Sequence, residues 1–190
     1  MRTALLVVAI IALSLTSAHA DMTDPQVQAA MSARVGHPVH DLGIVRIEGF
    51  PHVVVVGFFA NDRGYRVEGV FVGDEYASIE TQTPKALAAA GWAGAPPAKR
   101  QQLALQWTES ALLAWQSPLS QAPKRFGDRS FQKPTATALP GDGVQVTLWV
   151  QKPAGMRPVF RFEKMVYAYS PQGALRTQRV QETFETSVHD

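Results

Sequence analysis

The sequence predicts an α+β fold: an antiparallel β-sheet built of meanders and hairpins, one longer helix packed on one face, and a short N-terminal helix. Three observations predict it. Residues 44–81 and 144–186 are rich in β-branched and aromatic residues and are cut at short intervals by turn residues, the pattern of antiparallel meanders. Segments with apolar residues at helical spacing precede each block. The halves 21–92 and 93–190 therefore share one order, helix then meander, although no residue-level repeat links them. That order fits an architecture in which helices cover one face of a sheet.

The elements follow in chain order. Thr23-Asp24-Pro25 starts a helix, with Asp24 as the cap and Pro25 in the first turn. Val27, Ala30, Met31 and Val35 continue it, and Gly36 stops it. Ile44–Glu48 is a weak strand, and Val53–Phe59 is an unbroken apolar strand covered on both faces. Asn61-Asp62-Arg63-Gly64 is a loop, Tyr65–Val72 a strand, and Tyr76–Thr81 a further strand. Thr83-Pro84 opens a short helix over 85–90, stopped by Gly91. Pro96-Pro97 opens the longer helix, 98–116, whose broad apolar arc places it under a sheet. Residues 117–143 read as a long loop that carries Lys124, Arg125, Arg129 and Lys133 and holds at most a strand near Phe131. Val144–Gln151 alternates as a half-buried strand, and 159–169 and 175–186 form a long hairpin. Its last strand is polar and belongs at an edge.

Composition sets the outer bounds. The chain has 190 residues, 46% hydrophobic and 18% charged, with no cysteine. Zero cysteine excludes disulfides, zinc ribbons, iron–sulfur clusters and thiol nucleophiles. A formal net charge of +2 is too small for a phosphate-attracting field, so no nucleic-acid partner is expected. Residues 1–20 have the form of a cleaved signal peptide: Arg2, the apolar run from Ala4 to Leu15, then Ala18-His19-Ala20. The run is too short to span a bilayer, so no transmembrane anchor is expected. The working chain is then a single exported domain, 21–190, periplasmic or secreted. Loss of Arg2 brings its formal charge to +1.

No motif fixes the chemistry. Gly-x-Ser-x-Gly is absent, and Gly141-Asp142-Gly143 neither follows a strand nor opens a helix, so it reads as a turn. Glu163, Glu182 and Glu185 have Arg161, Arg176 and Arg179 nearby in the hairpin, which predicts cross-strand ion pairs. His37, His40 and His52 are a candidate metal set, since imidazole suits Zn²⁺ and Cu²⁺. Trp149, Tyr167 and Tyr169, with Arg161 near them, are the candidate ligand- or partner-binding surface, because aromatics beside arginine are favoured where proteins bind. The expected function is a non-catalytic binding protein, using that hairpin face or a sheet–helix cleft to hold a protein or a small molecule. The alternatives are a periplasmic metal-binding protein and an envelope-acting hydrolase.

Overall fold

A computed structural model describes residues 21–59, 65–116, 118–119, 130–152 and 159–187. The expected signal peptide, the 61–64 loop, and Lys124, Arg125 and Arg129 lie outside these residues. The fold is α+β, with two antiparallel sheets and helices between and beside them.

Helix α1 spans Asp24–Val35. Its cap is Thr23 rather than Asp24. The Gln26 side chain reaches back to accept the Thr23 N–H at 2.8 Å, while the Asp24 carboxylate takes Arg46 at 2.5 Å. An ion pair has drawn the predicted cap residue away from the helix end. Gly36 closes the helix with φ +79, as predicted.

Strands β1 (Leu42–Arg46), β2 (Val53–Phe59), β3 (Tyr65–Val72) and β4 (Glu75–Ala77) form the first sheet in chain order. β2 is covered on both faces, as its unbroken apolar run predicts. Val54 and Val56 meet Val27 and Met31 of α1, and Val53 and Val55 face the main core. A register shift at Val56/Gly57 breaks the alternation expected along β3, so Val67 and Val70 both serve the main core.

Helix α2 covers Ile79–Ala89, beginning earlier than the predicted 85–90 and replacing the end of the predicted strand. Ser78 caps it by accepting the Thr81 N–H at 3.4 Å. Pro84 therefore sits inside the helix and forfeits one intrahelical bond. Helix α3, Pro97–Trp107, runs into a π-turn over Thr108–Leu112, where Leu113 N–H bonds the Thr108 carbonyl at 3.1 Å. The predicted 98–116 helix is thus two segments, and the extra residue per turn rotates everything after it. The Thr108 hydroxyl, donating to the Ala104 carbonyl at 2.7 Å, sits at the junction.

The second sheet runs β5 (Pro118–Leu119), β7 (Gly143–Lys152), β8 (Val159–Tyr169), β9 (Leu175–Ser187), with β6 (Thr135–Leu139) paired to β7 beyond β5. β6 emerges from the segment read as a loop. Phe131 lies outside it but is buried. β9 is an edge strand and largely exposed, as its polar sequence predicts. A register shift near Val180–Glu182 exchanges its faces, so Phe184 and Val180 do not share one.

The main core binds both halves of the chain. α2 and α3 lie between the sheets, so Val53, Val55 and Val70 share one cluster with Leu87, Trp107, Val146 and Tyr169. A smaller cluster of Phe131, Trp149 and Phe162 covers the far face of the second sheet. No helix among the described residues is long and apolar enough to cross a membrane.

Candidate functional site

The helices do not cover the whole inner face of the second sheet. Where the π-turn ends, a gap opens between β3 and the β7–β9 strands, a cleft of about 350 Å³. A cleft of this size lies in the range of small-molecule sites. Its first wall is aromatic. Trp115 stacks on Tyr65 with ring centroids 5.5 Å apart. Both rings rest on Gly43, and Trp115 also rests on Gly57, the direct partner of Gly43 across β1 and β2. A Cβ on Gly43 would come within 2.7 Å of either ring, and one on Gly57 within 2.5 Å of Trp115. The paired glycines are therefore the seat of the aromatic wall.

The opposite wall comes from the second sheet. Alternation puts Arg161, Glu163, Met165, Tyr167 and Tyr169 on one face of β8, with Lys152 and Gln178 beside them in register. Tyr167, Gln178 and Lys152 line the cleft, and Gln116 joins them at its rim. Lys152 Nζ donates to Gln116 Oε1 at 3.3 Å. Deeper along the same face Glu163 is buried, held by Arg161 Nε at 2.7 Å. Arg161 also approaches Glu185 at 3.8 Å. Arg161 and Glu163 are neighbours two apart on one strand, and the Arg161–Glu185 contact crosses strands.

Burial pushes the Tyr167 phenol up to about 12, with the Glu163 carboxylate adding in the same sense. Its hydroxyl stays protonated, and a donor, at any physiological pH. The shift predicts alkaline sensitivity. An unfolded phenol releases its proton near pH 10, the folded one only near 12, so the Tyr167 contribution to stability is constant below pH 10 and is lost above it. The loss from Tyr167 amounts to roughly 2–3 kcal/mol by pH 12. Urea midpoints measured from pH 8 to 12 should fall less in Tyr167→Phe than in the wild type. Parallel curves would reject the assignment.

The four expected binding residues do not form one surface. Trp149 points to the far face and stacks on Phe131 at 4.7 Å. Tyr167 and Tyr169 point into the main core, not to the face opposite the apolar alternation of β7, because Val146 and Val144 pair with them directly. All three aromatics are at most 5% exposed. Tyr169 is an internal anchor. The Thr108 proton is already given to Ala104, so Tyr169 donates to Thr108 Oγ1, at 2.7 Å. Burial raises the Tyr169 pKa strongly. Arg161 and Tyr167 remain on the cleft side.

The structure does not bring the three histidines together. Val39 is buried between His37 and His40. Its N–H bonds Ser32 Oγ at 3.0 Å and its carbonyl accepts Gln28 at 2.6 Å, and this tether leaves both imidazoles exposed. β2 folds back along β1, but His52 precedes β2 and so returns at the opposite end of the hairpin from His40. The length of β1 separates them, roughly 15 Å. His52, in a left-handed conformation with φ 60, donates its backbone N–H to Asp21 at 3.0 Å. Among the described residues no group of three or more His, Cys, Asp or Glu could hold a metal ion.

Sequence reasoning missed Tyr65, Trp115, Lys152, Gln116 and Gln178 as site residues. Gly57, inside the apolar Val53–Phe59 run, was the available signal, since a strand glycine often marks the close approach of another group. Comparison with protein-family models, with curated proteins and with solved structures finds no match.

Proposed function

We propose that this chain is a non-catalytic binding protein, exported from the cytoplasm, that holds a small ligand in the cleft between its two sheets. The observation that carries this reading is the cleft itself, a concavity of about 350 Å³ with an aromatic wall on a glycine seat. Facing that wall are the Tyr167 phenol, protonated at physiological pH, the carboxamides of Gln116 and Gln178, and the charged side chains of Arg66, Glu80 and Lys152. Polar groups converging opposite an aromatic lining can orient a bound molecule. The carboxylate nearest Tyr167 along β8, Glu163, is held by an arginine and is not poised as a general base. Burial of Trp149, Tyr167 and Tyr169 favours the cleft over a partner protein on the hairpin face.

Export rests on the first twenty residues. Asp21, Met22 and Asp24 are tied down by His52 and Arg46, so a chain beginning at Asp21 starts in contact with the fold.

Native mass spectrometry of the protein recovered from an envelope fraction tests both points. The expected species is a chain beginning at Asp21 with a small non-covalent adduct. Val67→Trp, which fills the cleft, should lose the adduct. An adduct that survives the blocking substitution, or no adduct in any preparation, would remove the cleft reading. A chain retaining residues 1–20 would remove the export reading.

A further inference from the structure

We infer that the outer edge of β9 is an interface between two copies of this chain, which pair β9 against β9 antiparallel and join their second sheets into one. This stands apart from the cleft reading. The other edge strands are short, as exposed edges in natural proteins often are: β1 and β6 have 5 residues each, β4 has 3 and β5 has 2. β9 has 13, and among the described residues its pairing is with β8 alone. Residues 178–183 are exposed without a break, so neither face of the strand is covered there. Val180, in the middle, is 43% exposed, which is unusual here for a large apolar side chain. An edge of this length presents a row of outward N–H and C=O groups, a template for one more strand.

The order of charges on β9 selects a second copy as the occupant. The first half of the strand carries Arg176 and Arg179, the second half Glu182 and Glu185, and the strand has no other charged residue. Consider a two-fold antiparallel pair with its axis between Val180 and Gln181. Arg179 then lies opposite Glu182 of the second copy and Arg176 opposite Glu185 of the second copy, and the symmetry repeats both pairs. On an unbroken strand this register fails, because positions three apart point to opposite faces. The register shift in β9 removes that obstacle. Arg179 pairs with Val166 of β8 and Glu182 with Lys164, two apart on β8, so both point to one face. Arg176 is the extra residue at the second shift, between Leu175 opposite Tyr169 and Thr177 opposite Ala168, so no β8 partner fixes its direction. The same order opposes a parallel in-register stack, which would set Arg on Arg and Glu on Glu. The four charges need not be unpaired in the single chain, and Glu185 keeps its contact with Arg161. The backbone edge carries the pairing, and the charges choose its direction and register.

Sedimentation velocity on the full exported chain tests the inference. The wild type should sediment as a dimer at high micromolar concentration and shift towards the monomer on dilution. R176E/R179E makes β9 wholly acidic, and E182R/E185R makes it wholly basic. Each variant sets like charges opposite one another and should self-associate at least about tenfold more weakly, since four cross-strand pairs turn repulsive. Mixing the two variants sets acid against base at every one of these positions, so a heterodimer should form at least as tightly as the wild-type dimer. All four positions are exposed, so melting temperatures should stay near the wild type and report intact folding. Hydrogen exchange on the wild type needs no substitution: amides of 176–186 should gain protection as concentration rises. A wild type that stays monomeric throughout the micromolar range overturns the inference. So does a dimer that neither variant weakens, a mixture that associates no better than its parts, or a dimer whose β9 amides gain no protection.

Discussion

Trp107→Ala should destabilise the protein by about 3–5 kcal/mol, the cost of deleting a large buried aromatic. Trp107 is fully buried, stands 5.3 Å from Phe50, and donates its indole N–H to Thr83 Oγ1 at 3.1 Å. That hydroxyl gives its own proton to the Ile79 carbonyl at 2.6 Å, so it is free to accept. One side chain thus joins α3 to α2 and to the β1–β2 connection. Urea unfolding should show a lower midpoint with an unchanged slope. Because both halves contribute to one core, the loss should move a single cooperative transition. Two separate transitions, or a loss under about 1 kcal/mol, would show that the helices do not tie the two sheets together.

The second large effect belongs to the cleft. Gly57→Ala should cost about 1–3 kcal/mol or more, as an overpacked site does. Its new methyl meets the Arg66 carbonyl oxygen, which is backbone and cannot turn aside, and the Trp115 ring at 2.5 Å. Gly43→Ala should cost less, because the atoms nearest its methyl belong to the rings of Trp115 and Tyr65, which can swing. Gly36→Ala is the reference for backbone strain alone. Its φ is +79 and nothing lies within 4 Å, so about 1 kcal/mol is expected. Thermal melting ranks the three. Gly57→Ala should also displace Trp115 and weaken whatever the cleft holds. A Gly57 variant as stable as the Gly36 variant would show that the two glycines are not the seat of the aromatic wall.

Much of the fold is legible in the residues. The α1 periodicity with its Gly36 stop, the unbroken Val53–Phe59 run and the Val144–Gln151 alternation each report a local burial pattern that the structure repeats. Departures arise where a distant group or a stronger local signal outcompetes the rule applied. Asp24 prefers Arg46 to the helix end. Ser78 starts α2 before Pro84 can. Thr108 sits where the α-helix gives way to a π-turn.

The site was less legible for a related reason. Alternation along a strand tells which residues share a face, but not what covers that face. Tyr167 and Tyr169 share one face of β8 and are both buried, yet Tyr169 is tied to Thr108 while Tyr167 borders the cleft. Trp149 was placed with them because face assignment across strands needs a register, and the register is a property of the paired strands.

The sequence by itself determined the α+β class, the absence of any cysteine chemistry, and most strand and helix positions. These follow from composition and from periods of 2 and 3.6 residues, which are local quantities. Only the tertiary structure decided that two sheets share one core around α2 and α3, that the histidines stand apart, and that a cleft lies between Trp115 and Tyr167. Those depend on contacts between residues far apart in the chain, where three register shifts and one π-turn redirect side chains that no local pattern could place.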